Sequence, residues 1–430
     1  MQEKYEKMFY EFEPEHTDCP EWLNSPQAYF RGERSMPGSN LNVGYQVITG
    51  PVFLEQEPRL NREDIYYVFL GSKLPDVFSS WDAEIHFYLG PTLDTMEKVV
   101  ITEPTVIKVP RSWWHSPLNF VRVDKPLLFQ EVLHSGRDGY VSYIEKPDGE
   151  KEYIYTGYET GKDATITNAF VSPYKHVEWN VINEDGVTSY TDKGAYDPSK
   201  SPMGIHCVVM PGYESKPYSD AATLKAPKPA LSPEVTKLVL AAPKEETKWG
   251  AWCPSPQFYF RGTIYMENAT YNIGYQIFTA ANDMEDPHIH QGLDEYIFFM
   301  GADPANIFDF DAEIEIFYGE DPDNLESRLI TRPTVVRIPA NMWHCPIRFR
   351  KMNKPIIFQA AFLDGTWGTI VRLDEEEKTE EELKEIDSRP FGRTRTYEYM
   401  GDNVRFCKYN VKKRCNICGE CFPPQELEGV

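Results

Sequence analysis

Four residues in the second half of the chain have the types and spacing for metal chemistry: His288, His290, Glu295 and His344. On a β-strand, residues two apart face the same side, so His288 and His290 are expected to point together into one interior. Gly292 permits the turn that brings Glu295 back on the following strand. Further along, Ile338-Pro339-Ala340-Asn341-Met342-Trp343-His344 reads as strand, turn and strand, and supplies a third imidazole. Three neutral nitrogens and one carboxylate suit a first-row divalent ion such as Mn²⁺, Fe²⁺ or Zn²⁺, with positions left for water or substrate. A lone His-x-His pair would be explained equally well by buried or surface histidines. The full set of four is not.

The elements that must hold these residues occur twice. Ser25-Pro26-Gln27 and Tyr29-Phe30-Arg31-Gly32 recur as Ser255-Pro256-Gln257 and Tyr259-Phe260-Arg261-Gly262. Asn42-Val43-Gly44-Tyr45-Gln46 recurs as Asn272-Ile273-Gly274-Tyr275-Gln276, and Trp114-His115 as Trp343-His344. The offset is 255 − 25 = 230 at the first match and 344 − 115 = 229 at the last, so one small indel separates two copies. A period this long means duplicated domains and not a solenoid. Within each copy, short alternating runs such as Glu313 to Tyr318 and Thr334 to Ile338 are punctuated by Gly, Pro, Asn and Asp. That pattern predicts strands of a sandwich or barrel.

The motif His-x-His-x4-Glu-x5-Gly followed by Pro-x4-His resembles the two signature motifs of the cupin superfamily, over residues 253–373. The repeat extends the likeness to residues 19–134. The resemblance implies an all-β chain with two double-stranded β-helix (jelly-roll) barrels and short helices. It also implies that His288, His290, Glu295 and His344 are the metal ligands of one barrel. The glycine usual after Pro339 is replaced, which bears on the loop and not on the histidine. The expected domains are 1–135, a degenerate cupin; 136–250, strands and a Pro-rich linker; 251–373, the metal-binding cupin; and 374–430, an acidic helix with a Cys-rich tail. In the linker, Ser232 is expected to cap a short helix opening on Pro233.

Aligning Gly71 with Gly301 puts Pro58, Leu60 and Ile65 where His288, His290 and Glu295 stand, and leaves His115 as the counterpart of His344. One imidazole cannot hold a metal. His86 and His134 are the remaining residues from which another site might be built there. Tyr259, Arg261, Gln276 and Trp343, with Glu295, are the candidate catalytic residues around the barrel mouth. Tyr29, Arg31, Gln46 and Trp114 hold the same places in the other copy, which favours a role in the barrel itself. Cys345 stands beside a ligand where the first copy has Ser116, and is expected to be a small buried residue.

A formal net charge of −23 with no long basic patch argues against nucleic acid and anionic membranes as partners. The chain opens on charged residues, with no apolar run of signal-peptide type, and no stretch has the length of a membrane span. A cytoplasmic protein and a homodimer are the expectations. Cys407, Cys415, Cys418 and Cys421 have spacings that zinc or an iron–sulfur cluster could use.

Neither a Walker sequence nor a Gly-x-Gly-x-x-Gly fingerprint is present, so no nucleotide chemistry competes. The ligand set suits Lewis-acid stabilisation of an enolate or polarisation of a carbonyl. The leading expectation is therefore hydrolytic, oxygen-independent C–C cleavage of a small enolisable substrate, such as a cyclic 1,3-diketone derived from a polyphenol. An O₂-dependent bicupin dioxygenase and a pirin-like binding or regulatory protein are the alternatives.

Overall fold

The structure, a computed structural model, describes residues 5–157 and 230–372 apart from short gaps, with further short stretches near 179–195 and 379–400. Strand residues dominate it, and the helices described are single turns. The chain divides into two compact units. One comprises Phe12–Ala242 with Asp303–Ile307; the other comprises Met1–Glu11, Pro243–Ala302 and Phe308–Val430.

The strands in chain order begin with β1 (Phe9–Glu11), β2 (Ala28–Arg31), β3 (Asn42–Ile48), β4 (Val52–Glu55) and β5 (Arg59–Asn61). There follow β6 (Ile65–Gly71), β7 (Ala83–Gly90), β8 (Glu97–Ile101), β9 (Thr105–Val109) and β10 (Trp114–Val123). The first copy closes with β11 (Leu127–Leu133), β12 (Gly139–Glu145) and β13 (Lys151–Gly157). Between the copies lie β14 (Trp179–Asn183), β15 (Gly186–Thr191), β16 (Gly194–Ala195), β17 (Val239–Ala241) and β18 (Lys244–Glu245). The second copy runs through β19 (Gln257–Arg261), β20 (Asn272–Phe278), β21 (Asn282–Met284), β22 (His288–Ile289) and β23 (Glu295–Gly301). It continues with β24 (Ala312–Gly319), β25 (Glu326–Ile330), β26 (Thr334–Ile338), β27 (Trp343–Met352), β28 (Ile356–Phe362), β29 (Thr369–Arg372) and β30 (Tyr397–Met400).

Each unit is a pair of facing sheets. In the first unit they run β17-β9-β6-β11-β3-β2 and β13-β12-β5-β10-β7-β8, and β4 adds to β10. In the second they run β1-β26-β23-β28-β20-β19-β18 and β25-β24-β27-β22-β29-β30, and β21 adds to β27. The order is the same in both, as the sequence repeat requires. Period-2 alternation puts Tyr67, Phe69, Phe87, Phe120 and Phe129 into the first core. Phe278, Phe299, Ile316, Phe349 and Phe358 fill the second. Gly274 shows how closely that interior is packed: a Cβ there would lie 2.7 Å from the Tyr259 ring. Gly44 meets Tyr29 in the same way.

The expected boundaries differ from the observed ones at the N-terminus. Residues 1–11, expected to open the first barrel, belong to the second unit, because β1 pairs antiparallel with β26 (Phe9↔Val336). Tyr5 and Phe9 rest on Tyr318, with ring centroids 5.3 and 5.4 Å away. Reciprocally, β17 edges the first unit at β9 (Val239↔Ile107). Each barrel is thus finished by the strand that precedes the other in sequence. The capped turn is present: Ser232 Oγ accepts from the Val235 amide, and Pro233 is the first helical residue. The expected acidic helix after residue 374 falls largely outside the described residues, and the four tail cysteines wholly so. Among the described residues no helix is long and apolar enough to cross a membrane.

Removing residues 1–11 should uncover the β26 edge and delete the buried Tyr5 and Met8 that pack on the second core. At about 1.5–3 kcal/mol for each of these two buried side chains, the second barrel should lose roughly 3–6 kcal/mol. Calorimetry should then show one transition moved to lower temperature while that of the first barrel stays in place.

Candidate metal centre

The four histidine and glutamate positions meet inside the second barrel. Strand β22 is only two residues long, and places His288 directly across from His344 on β27. His290 follows one residue beyond its end. Glu295 opens β23, opposite Ile338 on β26 and Phe362 on β28. Gly292 makes the intervening turn with φ 70°, as expected for a residue lacking Cβ. The loop after Pro339 solves its missing glycine with Asn341, which takes φ 65°. Asparagine tolerates this left-handed region better than other non-glycine residues. Asn341 then fastens the two loops together, donating its amide to the His290 carbonyl at 3.1 Å and accepting the Gly292 amide at 3.2 Å. Asp294 adds a second clamp through the Ala340 amide (2.9 Å) and the Arg337 guanidinium (2.6 Å).

All four side chains are buried, between 1 and 6% exposed. The histidine rings lie 4.2 to 5.2 Å apart, centroid to centroid. Each Nδ1 has a partner. His288 donates to the Asp286 carbonyl at 2.8 Å and His344 to the Met342 carbonyl at 3.1 Å. His290 Nδ1 lies 3.4 Å from the Thr369 hydroxyl. A carbonyl only accepts, so His288 and His344 carry their proton on Nδ1 and leave the Nε2 lone pair facing inward.

Two of the three rings, those of His344 and His290, face a carboxylate. Glu295 Oε2 lies 2.9 Å from His344 Nε2 and 3.5 Å from His290 Nε2. Among the described residues neither Glu295 Oε2 nor His344 Nε2 has a hydrogen-bond partner, though both are buried. His290, Glu295 and His344 could together hold a metal ion, and the donor set suits a divalent one. Burial would raise the Glu295 pKa, but His290 and His344 outweigh it and hold the carboxyl well below the usual range. Burial, then the neighbouring His344 and His290, push His288 well below an ordinary imidazole, so it stays neutral and able to ligate. Ligating atoms of His290, Glu295 and His344 form one group within 4.8 Å, and those of His288, His344 and Cys345 form another.

Three neighbours carried little or no signal in the sequence. Thr369 orients His290 from β29. Cys345 is buried in the core as expected, at φ 72°, with its thiol pushed well up by burial and by the Glu285 charge. Glu285, at φ 60°, puts Oε2 3.6 Å from His288 Nε2 and 3.9 Å from Cys345 Sγ. Its carboxyl is pushed up to about 7 by the surrounding protein and by Glu295, yet the side chain is 41% exposed.

The candidate substrate residues lie elsewhere in the network. Tyr259 and Gln276 hydrogen-bond to each other, and Arg261 stacks 4.5 Å over the Tyr259 ring while pairing with Glu245 at 2.7 Å. The first barrel repeats the arrangement with Tyr29, Gln46, Arg31 and Glu15. Trp343 is buried, and alternation turns it to the face of β27 opposite His344.

Register corrects the expected alignment of the first copy. His115 pairs with Arg59, as His344 pairs with His288. The places of His288 and His290 therefore fall to Arg59 and Asn61, not to Pro58 and Leu60. Ile65 keeps the place of Glu295. The offset is 288 − 59 = 229 at Arg59 and 295 − 65 = 230 at Ile65, so a one-residue length change lies after Asn61, inside the turn, and such a slip exchanges the two faces of a strand. His86 pairs with Glu84 at 2.7 Å, and His134 stacks on Tyr66 at 5.1 Å. Among the described residues, no group of three potential ligands forms around either.

No family model matches the chain, and no curated protein matches it either. Solved structures do. A two-residue deletion variant of Bacillus subtilis oxalate decarboxylase is similar at 9% identity, covering 97% of this chain and 88% of that one, with a TM-score of 0.50. A serine-to-alanine variant of the same enzyme is similar at 10% identity, with the same coverage and TM-score. At this identity the likeness concerns the fold. Two double-stranded β-helix barrels of cupin type share one chain.

With these donors, His290→Ala should lose the divalent ion and His115→Ala should keep it, as read by metal analysis of chains whose four tail cysteines are replaced. In the first barrel, burial moves His134 from 6.5 down to about 4, with Asp64 opposing and Lys108 assisting. The unfolded chain takes up this proton below pH 6.5 while the folded one does not, so stability is lost as pH falls from about 6.5 to about 4. At 1.36 kcal/mol per unit, wild type should lose about 3 kcal/mol more than His134→Phe over that range. Denaturant unfolding at the two pH values measures the difference.

Proposed function

We propose that the second barrel holds one divalent ion, Mn²⁺, Fe²⁺ or Zn²⁺, on His288, His290, Glu295 and His344. The protein uses it to cleave a C–C bond next to a carbonyl in a small enolisable molecule. A cyclic 1,3-diketone derived from a polyphenol is the substrate class we favour, and a homodimer the working assembly. The observation that carries this reading is the approach of the His344 and His290 imidazoles to the buried Glu295 Oε2, with the His288 ring 4.2 Å from that of His344.

When bound, the ion supplies Lewis-acid polarisation of a carbonyl and stabilisation of an enolate. The chain supplies the rest. His288 and His344, locked through Nδ1 to main-chain carbonyls, cannot turn away from the centre. Glu295 would contribute one negative charge and the three imidazoles none, which would leave a bound divalent ion with a net positive charge. Glu285 Oε2, solvent-exposed and 3.6 Å from His288 Nε2, is placed to accept a hydrogen bond from water. In the overall reaction the oxygen of water bonds to the carbonyl carbon and the C–C bond breaks. Its electron pair goes to the α-carbon, which takes up a proton. Decarboxylation, the reaction named for the structural neighbours, also breaks a C–C bond next to a carboxyl carbon, which supports this reaction class.

Nothing in this chemistry consumes an oxidant. Turnover of a cyclic 1,3-diketone should proceed at full rate in an anaerobic chamber, and labelled oxygen should enter the product carboxylate from water. Activity that stops without O₂, with label arriving from O₂, would assign the chain to the dioxygenase class instead.

A further inference from the structure

We propose that the second barrel carries an alternative donor set, made of His288, His344, Cys345 and Glu285, that captures a soft, thiophilic ion in place of a hard one. It rests on the reading of this centre as a metal site and concerns a different position within it. Among the described residues, two groups of potential ligand atoms form here, and they share His344. One consists of His290, Glu295 and His344, with nitrogen and oxygen donors only. The other consists of His288, His344 and Cys345, and brings a sulfur within 4.8 Å of two imidazole nitrogens. Glu285 joins this second group, with Oε2 3.6 Å from His288 Nε2 and 3.9 Å from Cys345 Sγ. Ligands about 2.0–2.3 Å from a tetrahedral ion lie roughly 3.3–3.8 Å from one another, so these separations are close to those of donors around one ion.

Sulfur makes the two sets chemically unlike. Thiolates favour soft ions, whereas carboxylate donors suit harder ones such as Mn²⁺. Cys345 is 1% exposed, so water does not compete for its sulfur, while Glu285, 41% exposed, keeps one donor at the solvent side. The backbone does not demand the thiol. The first barrel has Ser116 at this place, with φ 65° where Cys345 has φ 72°. Both residues follow the histidine that the two barrels have in common, and sulfur stands there only in the barrel with three imidazoles. As the metal–sulfur bond forms, the S–H bond of Cys345 breaks and its proton passes to solvent, with no change of oxidation state. Because His288 and His344 serve both sets, a soft ion displaces the harder one.

The test uses the full chain with its four tail cysteines replaced by serine, and Cd²⁺ and Mn²⁺ as probes. Cd²⁺ is followed by the ultraviolet sulfur-to-cadmium charge-transfer band, and Mn²⁺ by electron paramagnetic resonance. One equivalent of Cd²⁺ should produce the band and release bound Mn²⁺. Cys345→Ser should lose the band and bind Cd²⁺ at least tenfold more weakly, while holding Mn²⁺ as the parent chain does; that Mn²⁺ also shows the variant to be folded. His290→Ala should do the reverse, losing Mn²⁺ and keeping the band. If Cys345→Ser does not fold, His290→Ala decides, and loss of the band together with Mn²⁺ overturns the proposal. A band that survives Cys345→Ser, or is missing from a chain that binds Mn²⁺, also overturns it and leaves the four-ligand reading in place. A chain that binds neither ion overturns both.

Discussion

The second barrel is organised around a cluster of polar groups that its fold buries together. Buried lone pairs on imidazole nitrogens and a carboxylate oxygen are held within 2.9 to 3.5 Å of one another. Left alone, such acceptors would turn away or draw in a proton. Here they cannot turn, because the other nitrogen of each ring is tied to a main-chain carbonyl or a hydroxyl. The backbone that provides those ties is itself strained or clamped, with positive φ at Glu285, Asn341 and Cys345. Strain of this kind persists only where the surroundings over-determine it. The packed core below and the Asn341 and Asp294 clamps above supply that surrounding.

The first barrel shows which of these features belong to the fold. It keeps the left-handed residue before the proline (Ser116, φ 65°), the Tyr–Gln–Arg–Glu network and the histidine on β10. What it lacks is the set of acceptors. The network around Tyr259 and Arg261 recurs in both barrels, and its ion pairs are satisfied within the protein. The chemistry is concentrated in the short stretch from Glu285 to Glu295 and in the residues that strand pairing brings to it. A barrel can exchange that stretch for another with little effect on its core, because the interior aromatic layer is built from other strands.

A good part of this was legible in the sequence. The duplication, the strand pattern, the pairing of His288 with His290 on one face, the turn at Gly292 and the third imidazole followed from period-2 alternation, glycine's freedom and the repeated motifs. These are local or self-similar properties, and a linear text carries them. The alignment of the first copy was harder. An indel within a tight turn can be placed on either side of a short strand at no cost to the count of matches. Only the observed pairing of His115 with Arg59 settles which face each residue takes.

What the sequence by itself determined is the fold class and the inventory of donors. Both depend on residue types at short, regular spacings. Tertiary structure alone decided that β1 finishes the second barrel and β17 the first, because edge pairing joins segments far apart in the chain. It alone decided that Thr369 and two backbone carbonyls orient the histidines, and that Glu285 stands beside His288. Backbone acceptors have no residue type to read, and a carboxylate three positions before a histidine becomes a neighbour only when the chain turns back on itself. Distance in space, set by the closing of two sheets over one core, is the quantity that the sequence does not spell.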